Sequence, residues 1–216
     1  MSGSVGQLMH GERARVVVRG QRLEYFTIAY NSLEGIVALV FGVLAGSIAL
    51  VGFGFDSVIE VTSGAVLLWR LRAEMDEERR ERAEARSLRL VGICFLALAA
   101  YVGYEAATSL WRHESPEQSL PGILLAAASL VVMPLLARAK RRVARGINSA
   151  AMSADAKQTE LCTYLSAILL GGLALNALAG WWWADPVAAL LMVPIIGVEG
   201  YKAVRGESCC EHGTCH

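Results

Sequence analysis

Apolar residues run along the chain in six long blocks, at 23–44, 47–69, 88–111, 120–137, 161–179 and 186–204, with polar stretches between them. At about 1.5 Å of rise per residue, a hydrocarbon layer about 30 Å thick takes about 20 residues, so each block is long enough for one crossing. The pattern predicts an all-α, polytopic membrane protein of six transmembrane helices. It divides into a polar N-terminal segment (1–22), a six-helix membrane domain (23–204) and a Cys/His-rich tail (205–216). The connection RLRAEMDEERRERAEARSLRL has no Gly or Pro and sets acids against Arg at i+4, which predicts helical extensions of the flanking spans. WRHESPEQSLPG, with Pro116 and Pro121, reads as a short outer loop, and Trp181, Trp182 and Trp183 read as an interfacial anchor.

Composition fits: 55% of residues are hydrophobic and mean hydropathy is +0.44. The formal net charge of zero hides an asymmetry. With six spans and an interior N-terminus, eighteen of the twenty Lys and Arg residues fall on one side, including the five between Arg138 and Arg145. Basic residues near helix ends are retained in the cytoplasm, so both termini are expected there, in a cell (plasma or inner) membrane. The same basic segments read as topology anchors and not as a nucleic-acid surface. The first residues lack an apolar core followed by a small-residue cleavage site, so no removable signal peptide is expected.

Two acids interrupt the second block near its middle. Asp56 and Glu60 are spaced i, i+4 and point the same way. A charge at that depth costs about 3 kcal/mol on insertion scales, so two on one face imply water, protons or a cation beside them. The fifth block begins, as a helix, earlier than its hydropathy: SAAMSADAKQTE contains no helix breaker. Read as one helix, Asp155, Gln158, Thr159, Cys162 and Ser166 form a polar stripe that lipid would not tolerate, and its natural partner is the Asp56/Glu60 face. Glu160 falls on another side of that helix, and Lys157 is expected to pair with it or to reach the interface. Elsewhere, Cys94 is expected in the core, Glu105 and Glu199 as proton relays or polar packing, and Gly42 and Gly46 in a close helix contact or a tight turn.

In order and spacing these residues resemble the cation diffusion facilitators, six-helix antiporters of divalent metals and protons. Asn31 and Gly35 fall where the first-helix motif should, followed by Gly46, Ser47, Ala49 and Leu50 and then the Asp56/Glu60 pair. Ala154 and Asp155 precede two ligand slots at Gln158 and Cys162, and Trp183, Asp185 and Pro186 follow at the sixth helix. In the family the two fifth-helix slots hold His and Asp. The resemblance implies metal ligands at Asp56, Glu60, Asp155, Gln158 and Cys162. Glu34, one turn from Asn31, offers a substitute for the missing anion. It also implies divalent-metal export, zinc first and manganese or iron next, with protons as counter-substrate, alternating access, and a homodimer. The family's folded C-terminal domain has no counterpart in these 216 residues.

The tail, ESCCEHGTCH, gathers Cys209, Cys210, His212, Cys215 and His216, soft ligands that in a reducing cytoplasm read as metal capture. No enzyme is expected: there is no Ser/His/Asp set, no Gly-rich phosphate loop and no C-x-x-C pair, and no resident cofactor is implied. The alternative to a transporter is a membrane metal sensor or accessory protein that binds the same ion without flux.

Overall fold

The computed structural model describes residues 2–72, 77–113, 117–147 and 149–205. They form six helices: α1 (Ser2–Ala45), α2 (Ile48–Arg72), α3 (Glu77–Arg112), α4 (Leu120–Ile147), α5 (Ala150–Ala179) and α6 (Ala184–Arg205). All six contain a stretch long and apolar enough to cross a membrane. The main neighbours are α1 with α2, α3 with α6 and α4 with α5; α1 also packs on α4, and α2 on α5. Thus α1, α2, α4 and α5 form a four-helix group, and the α3–α6 pair lies against α2 and α5.

The helices end where the sequence supplies the chemistry. At the end of α1, Gly46 takes φ 63°, its N–H reaches the Val43 carbonyl, and the Ser47 N–H reaches the Gly42 carbonyl at 2.9 Å. That pairing satisfies two otherwise free carbonyls, and glycine alone adopts the left-handed turn without strain. Gly42 also serves a close contact: a β-carbon there would sit 2.9 Å from the Val51 nitrogen. The two readings of these glycines are thus divided between them. α5 starts at a Ser149 cap that accepts from the Met152 N–H, ahead of the apolar run as its sequence predicts, and ends at Gly180 with φ 66°.

Several expectations change. Pro121 lies inside α4, not in the loop: Ser119 caps the helix, and a first-turn proline gives up an N–H that has no intrahelical partner. α1 runs unbroken from Ser2, so the polar segment before residue 23 continues the first span's helix. Cys94 is exposed, because α3 packs through the face of Gly92, Phe95, Ala99 and Val102. The charged connection is helical through Arg72 and again from Glu77.

Burial is inverted relative to a water-soluble bundle. Phe26, Leu33, Ile36, Val40, Val43 and Leu44 face outward from α1, whereas Glu24, Thr27, Asn31 and Glu34 face inward at steps of three, four and three. An apolar exterior facing lipid with polar groups turned to the interior is the arrangement a bilayer requires. Trp111, Trp181 and Trp183 are exposed at one end of the bundle, and Trp181 stacks on Trp183 at 5.0 Å between ring centres. This is the belt position of interfacial aromatics.

Candidate metal centre

The inner faces of α1, α2 and α5 bring the acids together. Asp56 and Glu60, on α2, are 5% and 1% exposed, and Cys162, on α5, is 1% exposed. The buried Cys162 thiol is within electrostatic reach of both carboxylates and of Glu34 from α1. Glu34 is held by a 3.0 Å hydrogen bond that the Ser57 hydroxyl donates to Oε2. On α5 the Thr159 hydroxyl donates to Glu60 Oε1 at 2.6 Å, which fixes one carboxylate oxygen while Oε2 has no hydrogen-bond partner. Asn31 is fully buried on α1, and neither atom of its amide has a partner. Buried polar groups are rarely left so, and their concentration here marks a place where water or an ion is needed.

Glycines make this convergence possible. A β-carbon at Gly35 would lie 3.3 Å from the Gly54 carbonyl oxygen and 3.4 Å from Ser57 Cβ, so α1 and α2 approach almost backbone to backbone beside Glu34. Such small-residue contacts are how membrane helices come close.

One turn from Thr159 along α5, Asp155 meets a different partner. Its carboxylate forms an ion pair with Lys140 of α4, which also binds Glu24 Oε2 of α1 at 3.3 Å. Glu24 and Lys140 are fully buried, and Glu24 rests against Gly64 of α2, where a β-carbon would sit 3.2 Å from its Oε2. Leu67, Val143, Ala144 and Met152 then form an apolar cluster one turn further toward the end that carries most of the Arg residues. Among the described residues along this interior path, five buried acids, Glu24, Glu34, Asp56, Glu60 and Asp155, accompany one buried lysine, Lys140. Uncompensated charge at that depth is costly, so cations or protons must accompany the acids.

Each predicted site residue within the helices has a defined place. Asp56, Glu60, Cys162 and Glu34 come together; Asp155 lies one turn away, engaged by Lys140; Gln158 sits at the edge of the stripe, half-buried, with a buried Nε2 that has no partner. It is Thr159, between them, that touches Glu60. Among the described residues no three His, Cys, Asp or Glu side chains stand at the spacing of a ready-formed metal site. Cys209, Cys210, His212, Cys215 and His216 lie outside the described residues. Glu160 pairs with Arg141 at 3.1 Å on the surface. Glu199 pairs with Lys202 at 3.1 Å near the surface.

Sequence reasoning missed Glu24 and Lys140. By hydropathy Lys140 belongs with the anchoring basic residues, but it shares the inward face of α4 with Ser129, Met133 and Leu136. Glu24 shares the face of Asn31 and Glu34 at helical spacing. That periodicity was the available signal in both cases. Asp185 gained a role too: it accepts hydrogen bonds from Ser47 Oγ, from Ile48 N at 2.9 Å and from Ala49 N at 3.4 Å. The first residues of α6 thereby cap α2 and fix the end of the helix that carries Asp56 and Glu60.

Residues 25–207 match the family described as the cation efflux transmembrane domain. An uncharacterised transporter of Synechocystis is 28% identical over 153 residues, 68% of this chain and 49% of the relative. The cation-efflux pump FieF of Shewanella oneidensis is 27% identical over 127 residues, 57% of this chain and 41% of the pump. The chain therefore spans about half the length, or less, of these curated relatives.

Proposed function

The chain belongs to the cation efflux transmembrane domain family, and from that premise we propose that it carries a divalent metal ion, zinc first, across the membrane in exchange for protons. The observation that carries the reading is the buried meeting of Asp56, Glu60 and Cys162, with Glu34 alongside. Two carboxylates and a thiolate suit zinc or cadmium, whereas carboxylates alone suit manganese or ferrous iron equally well. The side chains reach binding distance by rotamer changes: Glu60 turns its free oxygen inward, and Cys162 gives up its proton to bind. Asp155 and Gln158, further along α5, hold the ion as it enters or leaves.

Exchange follows from competition. Oxygens and sulfur that bind a divalent ion must lose protons to do so, and protons returning to the same atoms release it. Rocking of the four-helix group against the α3–α6 pair would then open the centre to each side in turn. The end rich in Arg is the cytoplasmic one, and the tail's Cys and His residues gather metal there. The FieF pump of Shewanella, a cation-efflux protein by name, supports this reading.

Cadmium titration tests the centre. Cadmium–thiolate ligation absorbs in the near ultraviolet, and in protein lacking residues 208–216 the account predicts a saturable band that Cys162→Ser removes. A band of unchanged size in Cys162→Ser would place the metal elsewhere. A sensor or accessory protein would show the band and carry no ion across.

A further inference from the structure

The geometry points to a second cation-binding position, formed by Glu24 and Asp155 on the Arg-rich side of the centre and occupied by the ammonium of Lys140 as a tethered competitor for the transported ion. It rests on the reading of the Asp56/Glu60/Cys162 centre as an ion site. Three observations carry it. First, the two carboxylates come from α1 and α5, far apart in the chain, and converge on one buried ammonium. Second, each keeps one oxygen, Glu24 Oε1 and Asp155 Oδ1, without a hydrogen-bond partner, although both side chains are almost wholly buried. Third, Glu24 and Asp155 both bind one ammonium, with Glu60 also within its electrostatic reach, so carboxylates outnumber the positive charge, a mismatch that a divalent ion would reduce.

Position gives the pair its significance. Asp155 and Thr159 are one turn apart on α5, about 6 Å along the axis, and Thr159 holds Glu60. An ion moving between the centre and the Arg-rich end meets Glu24 and Asp155 next. Lysine suits the role of a displaceable occupant: its ammonium is a compact charge on a flexible four-carbon stem, unlike the rigid fork of arginine. When a divalent ion takes both carboxylates, the ammonium swings away. When the ion leaves, the ammonium returns and keeps the acids from being left unpaired in the interior. A fixed structural triad would have the same contacts and no such exchange.

Manganese is the probe, because an all-oxygen position suits it. Bound Mn²⁺ per chain is counted by electron paramagnetic resonance during titration of the full chain in detergent. The expected result is that Lys140→Met binds one more Mn²⁺ per chain than wild type. The gain should persist when Asp56 and Glu60 are both changed to Ala, and disappear when Glu24→Gln is added. No gain in a folded Lys140→Met protein overturns the proposal, as does a gain indifferent to Glu24→Gln. A gain that vanishes with Asp56 and Glu60 assigns the effect to the centre and also overturns it. If Asp56→Ala, Glu60→Ala binds as much Mn²⁺ as wild type while the Lys140→Met gain stands, the centre fails and the second position survives. If Lys140→Met does not fold, Lys140→Gln, which keeps a donor for both acids, takes its place. Loss of the fold in both would show the lysine to be a fixed structural charge and would overturn the proposal.

Discussion

Two adjacent glycines of α5 should respond unequally to the same change. A β-carbon at Gly172 would lie 2.6 Å from Ala188 Cβ and 3.2 Å from the Ala184 carbonyl oxygen, whereas one at Gly171 meets nothing within 4 Å. Carbon atoms in contact settle about 3.5–4.0 Å apart, so Gly172→Ala demands that α5 and α6 part by about 1 Å. Overpacking of this kind costs about 1–3 kcal/mol. Both substitutions gain the same helix propensity, about 1 kcal/mol for Gly to Ala, so the difference between them is the steric cost alone. Gly171→Ala should therefore be more stable than wild type, and Gly172→Ala less stable than Gly171→Ala by about 1–3 kcal/mol. Unfolding by SDS in mixed micelles, followed by helical circular dichroism, measures both. Equal midpoints for the two variants would refute the packing of α5 on α6, and with it the register that sets Cys162 and Thr159 against α2.

The cap that α6 places on α2 gives a second test of the frame. Asp185→Ala leaves the Ser47 hydroxyl and two N–H groups without their acceptor and should cost about 2–4 kcal/mol, while Asp185→Asn, which keeps an acceptor oxygen, should cost about half as much; equal losses in the same SDS assay would contradict the capping role. Deleting residues 208–216 should slow zinc uptake into vesicles at low micromolar zinc and leave the rate at saturating zinc unchanged. An unchanged rate at every concentration would remove the tail from the account.

Much of the frame was legible because lipid imposes a simple rule. Six apolar runs gave six helices, and the charged interruptions within them, Asp56, Glu60 and the stripe of α5, turned inward together. The early start of α5 was readable from the absence of breakers after Ser149, and the cap there agrees. What escaped is equally physical. Hydropathy treats a lysine at the end of an apolar run as an anchor, and only the three-dimensional meeting of α1, α4 and α5 shows that Lys140 turns inward toward acids 116 and 15 positions away. Cys94 looked like a core residue because small apolar side chains usually are, but in a membrane the outer face is equally apolar and the distinction loses its force. Asp185 was visible as part of a motif, whereas its service to α2 depends on a contact between chain regions more than 130 positions apart.

The central claim is that Asp56 and Glu60 hold a divalent ion that crosses the membrane against protons. The most direct measurement is zinc flux in proteoliposomes under an imposed proton gradient, wild type beside Asp56→Ala, Glu60→Ala, with manganese and ferrous iron run in parallel. The account predicts zinc flux that collapses with the gradient and is lost in the double variant. Flux that survives loss of both acids, or tight zinc binding with no flux of any ion, would contradict it.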